Sequence, residues 1–310
     1  MKWSGSGCGV LVVVCACRST SSDTVLAPAT PTLAASAPSF DAGTTNSMDA
    51  GSSIAPPQSP TTTSAATRAS RTLPPLSAGS AFIRLPVAGF RDAIVSVPLG
   101  VTRPRPVLVA LHGNFDRSEW QCETWHDITR GYPFILCPRG IPRRDVPAKW
   151  DRWEYSSMDQ TDRELEAGLA ALREEFGEYV APGPVLFTGF SLGAILGVGI
   201  LKRHPGQYGP VVFSEGGNEN WSAATVRKIA PTDGDAGSSN GLRILYACGQ
   251  TDCMAKSKAT SKIIERAGGE VRVVSGGNVG HMYDGPVAAA IAREWPWLIQ
   301  GDSRWTAASE

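Results

Sequence analysis

One stretch constrains the fold more than any other. An apolar run, Val185-Leu-Phe-Thr, breaks at Gly189-Phe-Ser-Leu-Gly193 and resumes as Ala194-Ile-Leu-Gly-Val-Gly-Ile-Leu201. A Gly-x-Ser-x-Gly turn between a strand and a helix is a nucleophile elbow: the serine sits at the tip of a sharp turn, and the helix behind it aims its first amides at any negative charge formed there. The glycines on either side let strand and helix backbones pass closely. With Gly and Ser each near a tenth of residues, a chain of 310 residues holds about 0.3 such matches by chance. The rest of the chain therefore has to supply the context.

Composition changes sharply near residue 78. Residues 79–300 read as one folded domain and 301–310 as a tail. Before them, Met1-Lys2, the apolar Gly9-Val-Leu-Val-Val-Val-Cys-Ala16 and the small-residue-then-cysteine pattern Cys15-Ala16-Cys17 read as an export signal over 1–17, too short in its apolar run to span a bilayer. The arrangement resembles a bacterial lipoprotein signal, which implies lipidation at Cys17, with Cys15 second. Residues 18–78 are rich in Ala, Ser, Thr and Pro with a single aromatic, Phe40, and too poor in apolar surface to offset ordering. They read as a disordered, extended tether. The chain is then expected to be exported and to meet membrane only through its lipid anchor. Formal net charge is zero and no charge block occurs, which points away from nucleic acid.

Of seven cysteines, Cys8, Cys15 and Cys17 lie in the signal, leaving Cys122, Cys137, Cys248 and Cys253. An even remainder in an exported domain suggests two disulfides. The simplest pairing joins near neighbours, Cys122 with Cys137 and Cys248 with Cys253, although four cysteines permit three connectivities. No histidine stands at metal-finger spacing, so neither a metal nor a cofactor is expected.

Within the domain, Ala81-Phe-Ile-Arg-Leu-Pro and Asp92-Ala-Ile-Val-Ser-Val-Pro suggest an opening hairpin. Continuous apolar runs at 105–111, 133–138, 185–190, 211–214, 243–248 and 270–274 suggest buried parallel strands. Helical periodicity is expected over 161–176, 254–267 and 284–299. The alternation implies an α/β domain: a mainly parallel sheet with helices on both faces and right-handed crossovers. A loop-rich stretch from 215 to 241 contains Asp233-Gly-Asp-Ala-Gly-Ser-Ser-Asn-Gly241, read as a flexible excursion too short for a multi-helix lid, which leaves the site open.

Over residues 80–299 the chain resembles the α/β-hydrolase family. Four matched positions carry the likeness: Leu111-His112-Gly113 at a strand end, the elbow at Ser191, Asp252 after a late strand, and Gly280-His281 after the last strand. The resemblance implies Ser191 as nucleophile, His281 as its base and Asp252 as the acid that orients His281, in the family's chain order. Glu215, one strand earlier, is the alternative acid. Oxyanion donors are expected at the backbone amides of Leu192 and of Asn114, with Phe115 as alternative. Of the remaining histidines, His112 is expected to brace the oxyanion loop, His126 to lie in a Trp-rich loop and His204 to end the elbow helix. Phe115, Trp120, Trp125, Trp150, Trp153 and Trp221 are candidates to line an acyl or aryl pocket, with ordinary packing the plainer role for each.

The expected function is a metal-independent serine hydrolase acting on a small-molecule or polymeric carboxylic ester. The segment after the fourth strand resembles small single-domain carboxylesterases and acyl-protein thioesterases, and the exported, Cys-paired context resembles secreted polyester or feruloyl-type esterases. The alternatives are a peptidase of the same fold and a tethered binding module without activity.

Overall fold

The computed structural model describes residues 72–230 and 241–308. The expected signal, Cys8, Cys15 and Cys17, the tether up to residue 71, and the excursion over 233–240 lie outside the described residues.

An antiparallel hairpin opens the sheet, β1 (Phe82–Leu85) with β2 (Ala93–Ser96). Next come β3 (Val107–Leu111), α1 (Ser118–Thr129), β4 (Phe134–Cys137) and a two-residue ribbon of β5 (Ile141–Pro142) and β6 (Trp153–Glu154). The chain continues through α2 (Met158–Phe176), β7 (Val185–Phe190), α3 (Leu192–Arg203), β8 (Tyr208–Ser214), α4 (Ala223–Ile229), β9 (Arg243–Cys248), α5 (Thr251–Arg266), β10 (Glu270–Ser275) and α6 (Gly285–Ile299). The main sheet has eight strands in the order β1-β2-β4-β3-β7-β8-β9-β10, parallel from β4 to β10.

Successive side chains on a strand point to opposite faces, and both faces here are covered. Val107, Val109 and Leu111 of β3 join Leu165, Leu169, Val198, Leu201, Val226 and Ile264 on the side of α2, α3, α4 and α5. Leu108 and Ala110 join Cys122, Trp125, Ile291 and Trp295 on the side of α1 and α6. This two-sided burial explains why β3, β7 and β9 are apolar without alternation: every one of their residues is buried.

The ordered packing runs past the composition boundary at both ends. Leu73 and Leu76 are buried, and their amides donate to Thr102 O at 2.8 Å and Val101 O at 2.9 Å. At the other end a short 3-10 turn over Ser303–Ala308 inserts Trp305 against Trp295, with ring centroids 5.4 Å apart. A single large apolar side chain suffices to recruit a polar-looking segment to the core, and window-averaged composition hides it.

The region read from sequence as a Trp-rich loop is the helix α1, which carries Trp125 and His126. Its inward positions, Ser118, Gln121, Cys122, Trp125 and Thr129, keep helical spacing but are mostly polar, so the apolar period is muted. The sulfurs of Cys122 and Cys137 lie at bonding distance, 2.07 Å, with Cα atoms 6.0 Å apart, and this bridge ties α1 to β4. Closing a loop of that size contributes about 3 kcal/mol in the chain-entropy account. Cys248 and Cys253 form a second pair, Cα atoms 5.6 Å apart, between β9 and α5. Among the described residues no helix is long and apolar enough to cross a membrane.

Glu164 of α2 is buried beneath the loop that follows β4. Its Oε1 accepts hydrogen bonds from the amides of Arg139 at 3.0 Å and Gly140 at 2.9 Å. Burial pushes this carboxyl above its ordinary value, against the opposing pull of those two amides. A carboxyl with a raised pKa in the fold holds its proton more tightly folded than unfolded, so its contribution to stability falls as pH rises from the ordinary carboxylate range upward. Glu164→Gln keeps the accepting oxygen and removes the titration. The melting temperature of wild type relative to Glu164→Gln should therefore decline as pH rises above the ordinary glutamate pKa of about 4.3; melting curves that stay parallel above that pH would refute the assignment.

Candidate active site

Three register relations bring the site together. Leu111 of β3 pairs with Gly189 of β7, Phe190 of β7 with Ser214 of β8, and Ser214 with Ala247 of β9. The loops after these strands therefore emerge side by side at one edge of the sheet, where open parallel sheets carry their sites.

Ser191 stands between the end of β7 and the start of α3 with φ 49° and ψ −112°. Positive φ is costly for any residue with a Cβ, of order 1–3 kcal/mol. The surroundings impose it. Ser191 N–H donates to Ser214 O at 2.9 Å, and Gly193 N–H donates to His112 O at 3.2 Å. A Cβ on Gly189 would fall 2.7 Å from the Gly193 carbonyl, and one on Gly193 would fall 2.5 Å from Leu111 O. Only glycine at both positions lets the strand and helix backbones come this close, and the serine is left projecting from the sheet.

His281 reaches that hydroxyl, with Nε2 2.8 Å from Ser191 Oγ. Its other nitrogen, Nδ1, lies 3.5 Å from Glu215 Oε2, an ion-pair rather than a hydrogen-bond separation. Glu215 follows β8, takes φ 55°, and its side chain is 1% exposed against 47% for His281. Its Oε1 accepts from Gly249 N–H, and its own N–H donates to Ala247 O at 3.2 Å.

The structure thus corrects one expectation: the acid beside His281 is Glu215, not Asp252. α5 begins at Thr251, three residues before the helix expected from sequence, and places Asp252 in its first turn. There the carboxylate favours the helix dipole and pairs with Lys256 Nζ at 2.8 Å one turn on, its side chain 74% exposed. Thr-Asp reads equally as a loop or as a helix start, and nothing short of the fold separates them. The signal that favours Glu215 is its position one residue past a strand adjacent to the elbow strand.

Gly249 couples Glu215 to the loop that carries His281. While its N–H holds Glu215, its carbonyl accepts from Val279 N–H at 2.9 Å and Gly280 N–H at 3.0 Å, in the loop that presents His281. A Cβ here would lie 2.4 Å from Gly280 O, so the approach requires glycine. The Cys248–Cys253 pair encloses this residue.

A second tie runs through Asp116, buried and unremarked in the sequence. Its Oδ2 accepts from Gly113 N–H at 3.2 Å and its Oδ1 from Tyr283 Oη at 3.3 Å. Tyr283 packs on Phe190 at 4.6 Å, and Phe190 on the His281 ring at 5.0 Å. Burial, then the Asp116 charge, pushes the Tyr283 phenol well above its ordinary range, which keeps it a neutral donor. One carboxylate in this way joins the loop after β3 to the loop bearing His281.

Of the candidate oxyanion donors, Phe115 N–H is committed to Trp153 O at 3.0 Å, as is the neighbouring Gly113 N–H to Asp116. No described residue accepts from the amide of Asn114, whose side-chain oxygen accepts from Arg143. Leu192 is the first residue of α3, where the amide has no acceptor within the helix.

The other histidines are held elsewhere. The His112 ring is buried between Gly113 O at 2.7 Å and Arg139 O at 2.9 Å and stacks on Tyr155. His126 Nδ1 meets Ser96 Oγ at 2.8 Å, and His204, at the end of α3, meets Asp162 at 2.7 Å. The aromatics divide: Trp125, Trp153 and Trp221 are buried, whereas Phe115, Trp120 and Trp150 are exposed. Among the described residues no group of His, Cys, Asp and Glu is arranged to hold a metal.

No family model matches the chain, and no curated protein matches it in sequence. Solved structures do match. A dienelactone hydrolase from Anabaena variabilis aligns over 71% of this chain and 96% of its own, with TM-score 0.50 and 12% identity. A carboxylesterase from Mesorhizobium loti aligns over 71% and 97%, with TM-score 0.44 and 20% identity. A carboxylesterase from Bacillus cereus aligns over 62% and 87%, with TM-score 0.41 and 18% identity. At such identities the likeness speaks for architecture alone, and with the strand order, the elbow and the loop positions described above it establishes that this chain has the α/β-hydrolase fold.

Proposed function

We propose that the protein is a serine hydrolase that cleaves carboxylic esters through an acyl-serine intermediate. The observation that carries this reading is the 2.8 Å contact between His281 Nε2 and Ser191 Oγ, with the buried Glu215 carboxylate behind the ring. A serine hydroxyl is a weak nucleophile until a neighbouring base takes its proton. In this reading Ser191 Oγ attacks the ester carbonyl carbon while its proton passes to His281. The carbonyl oxygen gains negative charge and is received by the amides of Leu192 and Asn114, each worth about 2.7–4 kcal/mol in comparable sites. Collapse of the intermediate expels the alcohol, which leaves with the proton from His281. Water then loses a proton to His281 as it attacks the acyl group, and the proton returns to Ser191 as the acid departs. Glu215 holds the imidazole in the required tautomer and stabilises its positive form. The dienelactone hydrolase of the same fold is in keeping with a hydrolase reading.

Export belongs to the same proposal, supported by the leader sequence and by two cysteine pairs at bonding distance. Metabolic labelling with a clickable fatty acid should mark the wild-type protein and fail on a variant carrying both Cys17→Ser and Cys15→Ser; label that survives both changes refutes lipidation.

A fluorophosphonate probe should label the purified protein at Ser191, and Ser191→Ala should abolish both labelling and turnover of p-nitrophenyl acetate. Absence of labelling in wild type would leave a binding module as the better reading.

The two candidate acids separate cleanly. Glu215→Gln retains the acceptor for Gly249 and should lower kcat by roughly 10³–10⁴-fold with little change in KM. Asp252→Asn should stay within about twofold, since exposed i,i+4 pairs contribute little. Full activity in Glu215→Gln would overturn the acid's role.

A further inference from the structure

Beside the oxyanion loop lies a patch with an unusual make-up. Phe115, Trp120 and Trp150 are 41%, 38% and 49% exposed, and Phe115 meets Trp150 edge-on at 6.2 Å. The Arg152 guanidinium bridges them, 5.3 Å from the Phe115 ring centroid and 4.7 Å from that of Trp120. Large aromatic side chains gathered at a surface mark a binding face more often than they serve packing.

Charge distribution gives the patch its chemistry. The surface carboxylates nearby already have guanidinium partners: Asp145 and Glu154 pair with Arg143, Asp151 with Arg117, and Glu119 with Arg139, while the buried Asp116 is taken up by Gly113 N–H and Tyr283 Oη. Arg152 forms no ion pair among the described residues. Among the described residues its guanidinium makes one hydrogen bond, from Nη1 to Trp150 O at 2.9 Å. A guanidinium carries five N–H donors in one plane, so most of its edge remains to receive a ligand, and that edge matches a carboxylate bidentately. The flanking rings offer apolar faces beside it.

Position ties the patch to the reaction. Phe115 is the neighbour of Asn114, so their Cα atoms are about 3.8 Å apart. Arg143 both donates to the Asn114 side chain and lies over the Phe115 ring at 5.6 Å. Phe115 itself holds φ 65°, a strained setting for a bulky residue that turns its ring outward instead of into the core. Strain of this kind persists where surrounding structure imposes it, here through the bonds between Phe115 and Asp116 and the Trp153 backbone.

We propose that Arg152, framed by Phe115, Trp120 and Trp150, forms a subsite for a carboxylate-bearing ring on the ester substrate, so that anionic ring esters are preferred to their neutral counterparts. The inference rests on the ester-hydrolase reading and names the substrate class for it. With the ester carbonyl oxygen at the Asn114 amide, the adjoining ring lies against Phe115 and its carboxylate reaches the Arg152 edge.

Two matched substrate pairs test it. Phenyl acetate against 4-acetoxybenzoate puts the carboxylate on the alcohol side; 4-nitrophenyl benzoate against mono-4-nitrophenyl terephthalate puts it on the acyl side. The readout is the ratio of kcat/KM, anionic over neutral, which cancels any general loss of activity. In Arg152→Gln this ratio should fall about tenfold in one of the pairs, the scale of a lost charge-assisted hydrogen bond, with Arg152→Lys retaining part of it. Trp150→Ala should lower both members of that pair alike. Raising the salt concentration should depress the wild-type ratio and leave that of Arg152→Gln unmoved. A ratio unchanged by Arg152→Gln in both pairs, or a wild-type ratio insensitive to salt, overturns the subsite. An enzyme that reacts with fluorophosphonate but shows no such preference keeps the hydrolase reading and loses only the subsite; one that neither labels nor turns over any ester loses both.

Discussion

Everything at the site depends on forcing a serine backbone into positive φ and keeping it there. The cost is local and the restoring forces are not. Gly189 and Gly193 close the gap between β7, β3 and α3, while Ser191 N–H is anchored to the end of β8 and Gly193 N–H to the end of β3. A turn held from two neighbouring strands cannot relax without separating the sheet, so the strain is stored by the core. The hydroxyl is thereby fixed in space before any substrate arrives, which is the condition for positioning to contribute to rate.

Glu215 and His281 are held by a different device, a shared backbone residue. Gly249 donates to Glu215 with its amide and accepts from the His281 loop with its carbonyl. Displacing this one peptide would move both partners at once. Asp116 plays the matching part on the other flank, joining the loop after β3 to Tyr283 and, through Phe190, to the imidazole. Four loops that are far apart in sequence therefore behave as one unit, through hydrogen bonds to buried groups that would be costly to leave unpaired.

Much of this was legible beforehand because it is written in local pattern. The buried strands announce themselves as continuous apolar runs and the elbow as glycines at fixed offsets, while His281 stands where the resemblance to the α/β-hydrolase family implies a histidine. The near-neighbour cysteine pairing also matches the observed distances. What local pattern obscured has identifiable causes. α1 buries polar residues on its inward face, so its period is weak. Leu73, Leu76 and Trp305 sit in segments whose average composition masks single core residues. The boundary of α5 turned on whether Thr251-Asp252 is loop or helix, and a shift of three residues carried Asp252 from the site to solvent.

The sequence by itself determined the class of fold and the serine at the elbow, because periodicity and glycine spacing are properties of short stretches; the histidine that meets it came from the likeness to the α/β-hydrolase family at Gly280-His281. Tertiary structure alone decided which carboxylate stands behind His281 and which loops flank the elbow. Those are questions of which loop ends lie side by side, and strand register answers them: Ser214 is level with Phe190, so the residue that follows it, Glu215, arrives beside the elbow, while the chain after Cys248 turns into a helix and away.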